Sequence, residues 1–347
     1  VQALAVVPGQ ADLVELREVP EPPAADGALL VEALAVGICG TDREIVAGEY
    51  GEAPPGADHL VIGHESLGRV VEAPQDTGFA PGDLVVGIVR RPDPEPCANC
   101  AVGEWDMCRN GRYTERGIKG LHGFASERFR LEPGFAVRLD PGLRRTGVLM
   151  EPTTVVAKAW EHLERIGRRA AWSPRRVLVT GAGPIGLLAA MLGVQRGLDV
   201  QVLDRVENGP KPQLVADLGA RYCTDLADVD TDADIVVECT GAPSLVVEVM
   251  ERNAHNAVVC LTGVSALGRS VEVDVGAFNR GMVLQNDVVF GSVNANRRHY
   301  EQAAAALARA DASWLERLVT RRVPLAEFRD ALEHRDDDVK VVLDVEA

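Results

Sequence analysis

The chain has 347 residues, too many for one ordinary core and enough for two domains. Charged residues make up 25% and hydrophobic residues 46%, a globular balance, and no apolar run reaches the roughly 18–20 residues of a membrane span. A formal net charge of −16 argues against nucleic acid or an anionic membrane as charge-driven partners.

Residues 1–35 read as paired strands, with apolar runs at 3–7 and 29–36 separated by Pro20, Pro22, Pro23 and Gly27. Val1 to Val7 carries no basic leader, so no secretion signal is expected and the cytoplasm is the expected location. Seven cysteines are too sparse for a disulfide scaffold, which favours a reducing compartment with buried or metal-bound thiols.

Cys39-x-Thr41-Asp42 follows the second run, and Gly63-His64-Glu65 comes 25 residues after Cys39, counted to His64. A lone Gly-His-Glu is more often structural. Thiolate, imidazole and carboxylate together are three good zinc ligands, and catalytic zinc takes three protein ligands and keeps one position open. Residues 81–91 read as a turn and a buried strand, and the loop after them holds Cys97-x2-Cys100-x7-Cys108. Three thiols at this spacing suggest a structural zinc, with Asp93, Glu95 and Asp106 as candidates for the fourth ligand. A loop without metal is the other reading. Residues 109–131 are polar, glycine-rich and irregular, the composition of a specificity loop.

A helix begins near 149–160, with Pro152 in its first turn and Glu151 either a carboxylate favoured by the helix dipole or one facing the metal. From 176 to about 292, strands near 176–180, 200–204, 234–238, 257–262 and 287–291 alternate with helical stretches, the pattern of an α/β doubly wound parallel sheet. The first of these strands runs into Gly181-Ala182-Gly183-Pro184-Ile185-Gly186 and an apolar helix. The first glycine allows the turn, the second the approach of a pyrophosphate, the third close packing of helix on strand. The second strand ends in Asp204, 18 residues after Gly186, where a ribose-binding carboxylate belongs. Arg205 and Lys211 follow it as cations able to meet a 2′-phosphate. NAD is therefore the expected preference, with measurable use of NADP. Glu238-Cys239-Thr240-Gly241-Ala242 closes a further strand at the ligand-binding end of such a sheet, and Thr240 is a cofactor-contact candidate. Residues 293–347 hold an Ala-rich helix, 302–310, and a last strand, Val339 to Val345.

These motifs, in this order over the whole chain, resemble the zinc-dependent medium-chain dehydrogenases. Val89-Arg90-Arg91-Pro92, Glu115-Arg116-Gly117-Ile118-x-Gly120-Leu121-His122-Gly123, Met150-Glu151-Pro152 and Gly291-Ser292-Val293-Asn294 are similar to the archaeal-type glucose (aldose) 1-dehydrogenases. The resemblance implies a GroES-like β-rich catalytic domain over 1–155, a Rossmann domain over 156–292, and a return to the catalytic domain over 293–347. It implies a catalytic zinc on Cys39, His64 and Glu65, with Glu151 as a further, exchanging ligand, and sugar contacts from Glu115, Glu151 and Asn294. Thr41 resembles the family's proton-relay hydroxyl, and Asp42 a group that orients His64. The chain departs from the branch in having three knuckle cysteines where four are common, with Asp93 near the missing position. It also departs in carrying Asp204 where NADP-preferring members have a small or neutral residue. The implied reaction is hydride transfer from C1 of an aldose to NAD(P), giving the aldonolactone, by a homodimer or homotetramer. Two rival readings are a polyol or secondary-alcohol dehydrogenase of the same family and a cofactor-binding protein without catalysis.

Overall fold

The computed structural model describes residues 1–230, 232–250, 253–266 and 268–346. The chain divides into two compact units, Val1–Glu151 with Ala295–Ala347, and Pro152–Asn294.

The first unit is β-rich. Its main sheet runs in the order Ala136–Arg138, Leu84–Gly87, Glu65–Glu72, Leu29–Ile38, Lys340–Asp344, Val319–Pro324, and Arg128–Leu131 also pairs with Leu29–Ile38. Leu29–Ile38 is buried at every position except Glu32, because both of its faces are covered, and so it reads as a continuous apolar run. Leu29, Val31, Ile45, Ile62, Phe124, Phe129 and Leu343 form the middle of the core. The two apolar runs near the N-terminus do not pair with each other. Gln2–Val6 pairs with Val14–Glu18 and Leu60–Val61 in a separate three-stranded sheet. Val14–Glu18 alternates hydrophobic and charged residues, a half-exposed strand that an apolar-run search passes over.

Register brings three strands of the main sheet together at one point. Gly37 lies opposite Glu65 on one side and Val342 on the other. A Cβ at Gly37 would stand 2.0 Å from Glu65 Oε2 and 2.8 Å from Lys340 Cε, so this position has no room for a side chain.

The second unit is a six-stranded parallel sheet ordered Arg221–Cys223, Asp199–Leu203, Arg176–Thr180, Ala233–Glu238, Asn253–Leu261, Val288–Gly291. The strand order reverses between Arg176–Thr180 and Ala233–Glu238, which makes this a doubly wound Rossmann sheet with its switch point there. Arg221–Cys223 is a strand the sequence reading did not include, being three residues long and polar at its start. Pro184, Pro210 and Pro243 each open a helix, where a missing N–H costs nothing. The helix Pro184–Val194 is buried from Gly186 to Gly193, which accounts for its unbroken apolar sequence. The helix Met150–Gly167 carries Glu151 in its first turn. No helix among the described residues is long and apolar enough to cross a membrane.

Candidate active site

Leu29–Ile38 ends at Cys39, which precedes the short helix Gly40–Val46. Asp42, in the first turn of that helix, accepts a hydrogen bond from the Cys39 N–H at 2.9 Å through Oδ2. Its other oxygen, Oδ1, lies 3.4 Å from His64 Nδ1. One fully buried carboxylate thus positions two residues that lie 25 apart in sequence. With Nδ1 turned to Asp42, His64 presents Nε2 to Cys39 Sγ at 3.2 Å. Glu65 begins the next strand, and the ligand atoms of Cys39, His64 and Glu65 lie within 4.8 Å of one another.

The electrostatics of this group are those of a cation site. Burial opposes charge on His64, yet the Cys39 thiolate and the Asp42 carboxylate push its pKa well above the ordinary imidazole value. Burial would raise Asp42, and His64 together with the Cys39 N–H holds it below the usual carboxylate range. A soft sulfur, a nitrogen and a hard oxygen gathered around one point fit zinc. Glu65 also forms an ion pair with Lys340, whose Nζ donates to the Ile38 carbonyl at 3.1 Å. Glu151 does not join the close group of three. Burial raises its carboxyl to about 7, His64 opposing and Glu65 adding to the shift, so it faces the same charges at longer range. Thr41 sits half-buried in the first turn of Gly40–Val46, next to Asp42.

A second group joins the thiols of Cys97, Cys100 and Cys108 within 4.8 Å, with Cys97 and Cys100 3.7 Å apart. Backbone N–H groups, that of Arg109 first, draw the Cys97 thiol down to about 6, while burial pushes Cys100 up to about 11. Asp93, expected as the fourth ligand, stands outside this group. Its carboxylate accepts from the Glu95 N–H at 2.9 Å, Asn110 Nδ2 at 2.8 Å and Arg112 Nε at 3.2 Å. Those three donors are the physical reason it does not turn to the thiols.

In the second unit the glycine turn takes the expected shape. Gly181 has φ +86, a conformation that favours glycine, and a Cβ on Gly186 would lie 1.7 Å from the Gly181 carbonyl oxygen. Gly183 caps the helix that Pro184 and Ile185 open. Asp204 turns toward this loop, with Oδ2 accepting from the Ala182 N–H at 2.6 Å, Oδ1 from the Val206 N–H at 2.9 Å, and Lys211 Nζ 3.4 Å away. Arg205 is exposed beside it. Thr240 lies after Ala233–Glu238 and is bonded to Glu238 through both its N–H and its hydroxyl.

Two family patterns cover nearly all of this chain: "Alcohol dehydrogenase GroES-like domain" matches residues 25–141 and "Glucose dehydrogenase C-terminus" residues 144–345. The glucose 1-dehydrogenase of Methanocella arvoryzae is 38% identical, with 100% of each chain aligned, and that of Thermoproteus tenax 40%, with 99% of each. The solved glucose dehydrogenase of Haloferax mediterranei, described in complex with NADP, Zn and gluconolactone, superposes with a TM-score of 0.91 at 35% identity over 100% of both chains. The chain belongs to the glucose 1-dehydrogenase branch of the medium-chain dehydrogenases.

Within this family frame, the first unit contains the GroES-like domain and the second carries the Rossmann sheet. Glu115, read as a sugar contact, is buried at 4% exposure in Thr114–Arg116. Its Oε1 accepts from Arg90 Nε and Nη2, both at 3.0 Å, and Arg90 stacks on the Tyr113 ring at 3.7 Å. Asn294 belongs to the second unit, half-buried, with its backbone in the left-handed region at φ 62. Sequence reasoning missed Lys340, Arg90 as the partner of Glu115, and Glu238. A signal for Lys340 was available. It is one of four lysines in the chain and interrupts the apolar strand Val339 to Val345, where a lone cation must find a buried partner.

Proposed function

We propose that this chain is a zinc-dependent aldose 1-dehydrogenase that oxidises glucose or a similar sugar at C1 to the lactone with NAD(P). The observation that carries the reading is the Cys39–His64–Glu65 group, oriented by Asp42, in a chain aligned end to end with glucose 1-dehydrogenases. A zinc ion held there supplies a Lewis acid that makes a sugar hydroxyl easier to deprotonate, and the dinucleotide supplies the hydride acceptor.

The rest is the work of this chain's side chains. Cys39, His64 and Glu65 hold the metal. Asp42 fixes His64 in the orientation that leaves Nε2 for the metal, as a carboxylate partner does for most metal-bound histidines. Glu65 and Glu151 offset positive charge, and Glu151, raised to about 7 chiefly by burial, can hold a proton near neutral pH. The Thr41 hydroxyl carries the substrate proton outward. Glu115, held in place by Arg90, accepts hydrogen bonds from sugar hydroxyls, with Glu151 and Asn294 as further contacts. Asp204 and the Gly181–Gly186 turn seat the dinucleotide. We take NAD as preferred, because a carboxylate at the strand end repels a 2′-phosphate.

We also take the enzyme to be a cytoplasmic homo-oligomer. All seven cysteines are free, as a reducing compartment keeps them. Val288–Gly291 ends the Rossmann sheet as an edge strand, and the helix before it exposes Val275, Val283 and Leu284 at 69, 65 and 62%. An apolar group beside a sheet edge suits a second copy of the chain. Light scattering on the purified protein settles the assembly.

The decisive experiment is an NAD(P)H-release screen over aldoses, polyols and secondary alcohols, with zinc analysis. Aldoses as the best substrates, with turnover abolished and dinucleotide binding retained in His64→Ala, is the expected result. A polyol preference moves the chain to its sister activity, and near-normal kcat in His64→Ala removes the metal assignment.

A further inference from the structure

The reversal of strand order in the Rossmann sheet places Thr180 and Glu238 side by side as paired residues at the carboxyl ends of Arg176–Thr180 and Ala233–Glu238. In a doubly wound sheet this is where a dinucleotide crosses. Glu238 is fully buried there. Its Oε1 accepts from the Thr180 hydroxyl at 3.2 Å, the Thr240 N–H at 2.8 Å and the Thr240 hydroxyl, and the Gly241 N–H reaches both oxygens at 3.1 Å. Its carbonyl accepts from the Thr262 and Gly263 N–H groups at 2.8 and 3.0 Å. One residue therefore ties together the ends of three strands. A Cβ on Gly263 would stand 2.7 Å from Glu238 Oε2, so the loop after the third strand is also moulded to this carboxylate.

These side-chain bonds come from two hydroxyls and two backbone amides, all neutral donors. A Gln would keep the bonds made to Oε1 at less desolvation cost, with only the Gly241 N–H left facing its amide, since burying a carboxylate is expensive even when it is hydrogen-bonded. The charge itself therefore calls for a use. Of the groups a nicotinamide dinucleotide brings to the switch point, one changes charge in the reaction: the ring is cationic when oxidised and neutral when reduced.

We propose that Glu238 is a positioning residue for the dinucleotide whose fixed negative charge favours the oxidised, cationic ring over the reduced one. This rests on the dinucleotide reading of the site. Unit charges roughly 10 Å apart at an effective dielectric of about 20 change a binding ratio by on the order of tenfold.

The test is to titrate oxidised and reduced dinucleotide into wild type, Glu238→Gln, Glu238→Asp and Thr180→Val. The ratio of Kd for the oxidised form to Kd for the reduced form should rise about tenfold in Glu238→Gln. It should stay within twofold of wild type in Glu238→Asp and Thr180→Val, which keep the charge but loosen the loops. Glu238→Gln sets an amide against the Gly241 N–H. If that variant does not fold, Glu238→Ser, which removes the charge and leaves room for a water, is read in the same way. Equal weakening of both forms in the charge-removing variant overturns the proposal and leaves Glu238 a loop brace. A wild type that binds neither form overturns the dinucleotide reading itself, and the proposal with it.

Discussion

Lys340 and Glu65 form an ion pair in the core of the GroES-like domain, both side chains 3% exposed or less. The pair joins the strand Lys340–Asp344 to Glu65, a proposed metal ligand, and Gly37 between them leaves the space it occupies. Removing one partner of such a pair leaves a buried charge uncompensated, which costs about 3–5 kcal/mol. Lys340→Met should destabilise the metal-free protein by that amount in urea denaturation. A bound zinc should recover part of the loss by compensating Glu65. A loss below about 1 kcal/mol would show that the pair does not contribute as a buried one does.

Gly117 and Gly123 bring the 115–125 segment against the strand Leu60–Val61 and the residues after it that lead to His64. The Gly123 N–H donates to the Val61 carbonyl at 2.7 Å, and a Cβ on Gly123 would stand 2.3 Å from the Ile62 oxygen and 2.4 Å from that of Gly63. Gly123→Ala must therefore displace the residues just before His64. Outer supports of metal ligands typically carry 10–100-fold in affinity, and a zinc loss of roughly that size is expected, with dinucleotide binding unchanged. Competition titration with a chelator measures it, and wild-type zinc affinity would show that the strand is not held by this contact.

The cysteine knuckle gathers three thiols while Asp93 is taken by Asn110 and Arg112. Among the described residues no fourth ligand joins these thiols, so a zinc there should be the weaker of two. We expect two zincs per chain, with the knuckle ion leaving first on chelation. Cys100→Ser should lower the melting temperature more than it lowers kcat. One zinc per chain and an unaltered melt in Cys100→Ser would identify the knuckle as a metal-free loop.

Cofactor choice turns on Asp204. Its carboxylate is already bonded to Ala182 and Val206 N–H groups beside Lys211, while Arg205 is exposed. Asp204→Ala should lower kcat/KM for NAD and raise it for NADP, by removing both a ribose acceptor and a negative charge facing a 2′-phosphate. Arg205→Ala should harm NADP selectively. A wild type that prefers NADP tenfold or more at saturating sugar would mean that Arg205 and Lys211 outweigh the carboxylate.

The sequence by itself determined the α/β class, the Rossmann half, the zinc-dehydrogenase likeness and the residue types of the candidate metal group. These are local signals. A Gly-x-Gly-x-x-Gly turn, a β-branched run or a Gly-His-Glu triplet carries its meaning within a few residues, because turn conformation and strand burial are decided over that span. Tertiary structure decided what depends on register and on competition for partners. Lys340 reaches Glu65 only because Lys340–Asp344 and Glu65–Glu72 lie on either side of Leu29–Ile38. Glu115 is bound to Arg90 only because Arg90–Arg91 pairs with Thr114–Arg116. Asp93 lies within four residues of Cys97, yet Asn110 and Arg112 hold its carboxylate away from the thiols. Near neighbours in sequence narrow the donors a side chain can meet, but a buried charge bonds to whichever donor the packing brings within reach, and that is set by which segments the fold pairs, whether near in sequence like Arg90 and Glu115 or far apart like Glu65 and Lys340.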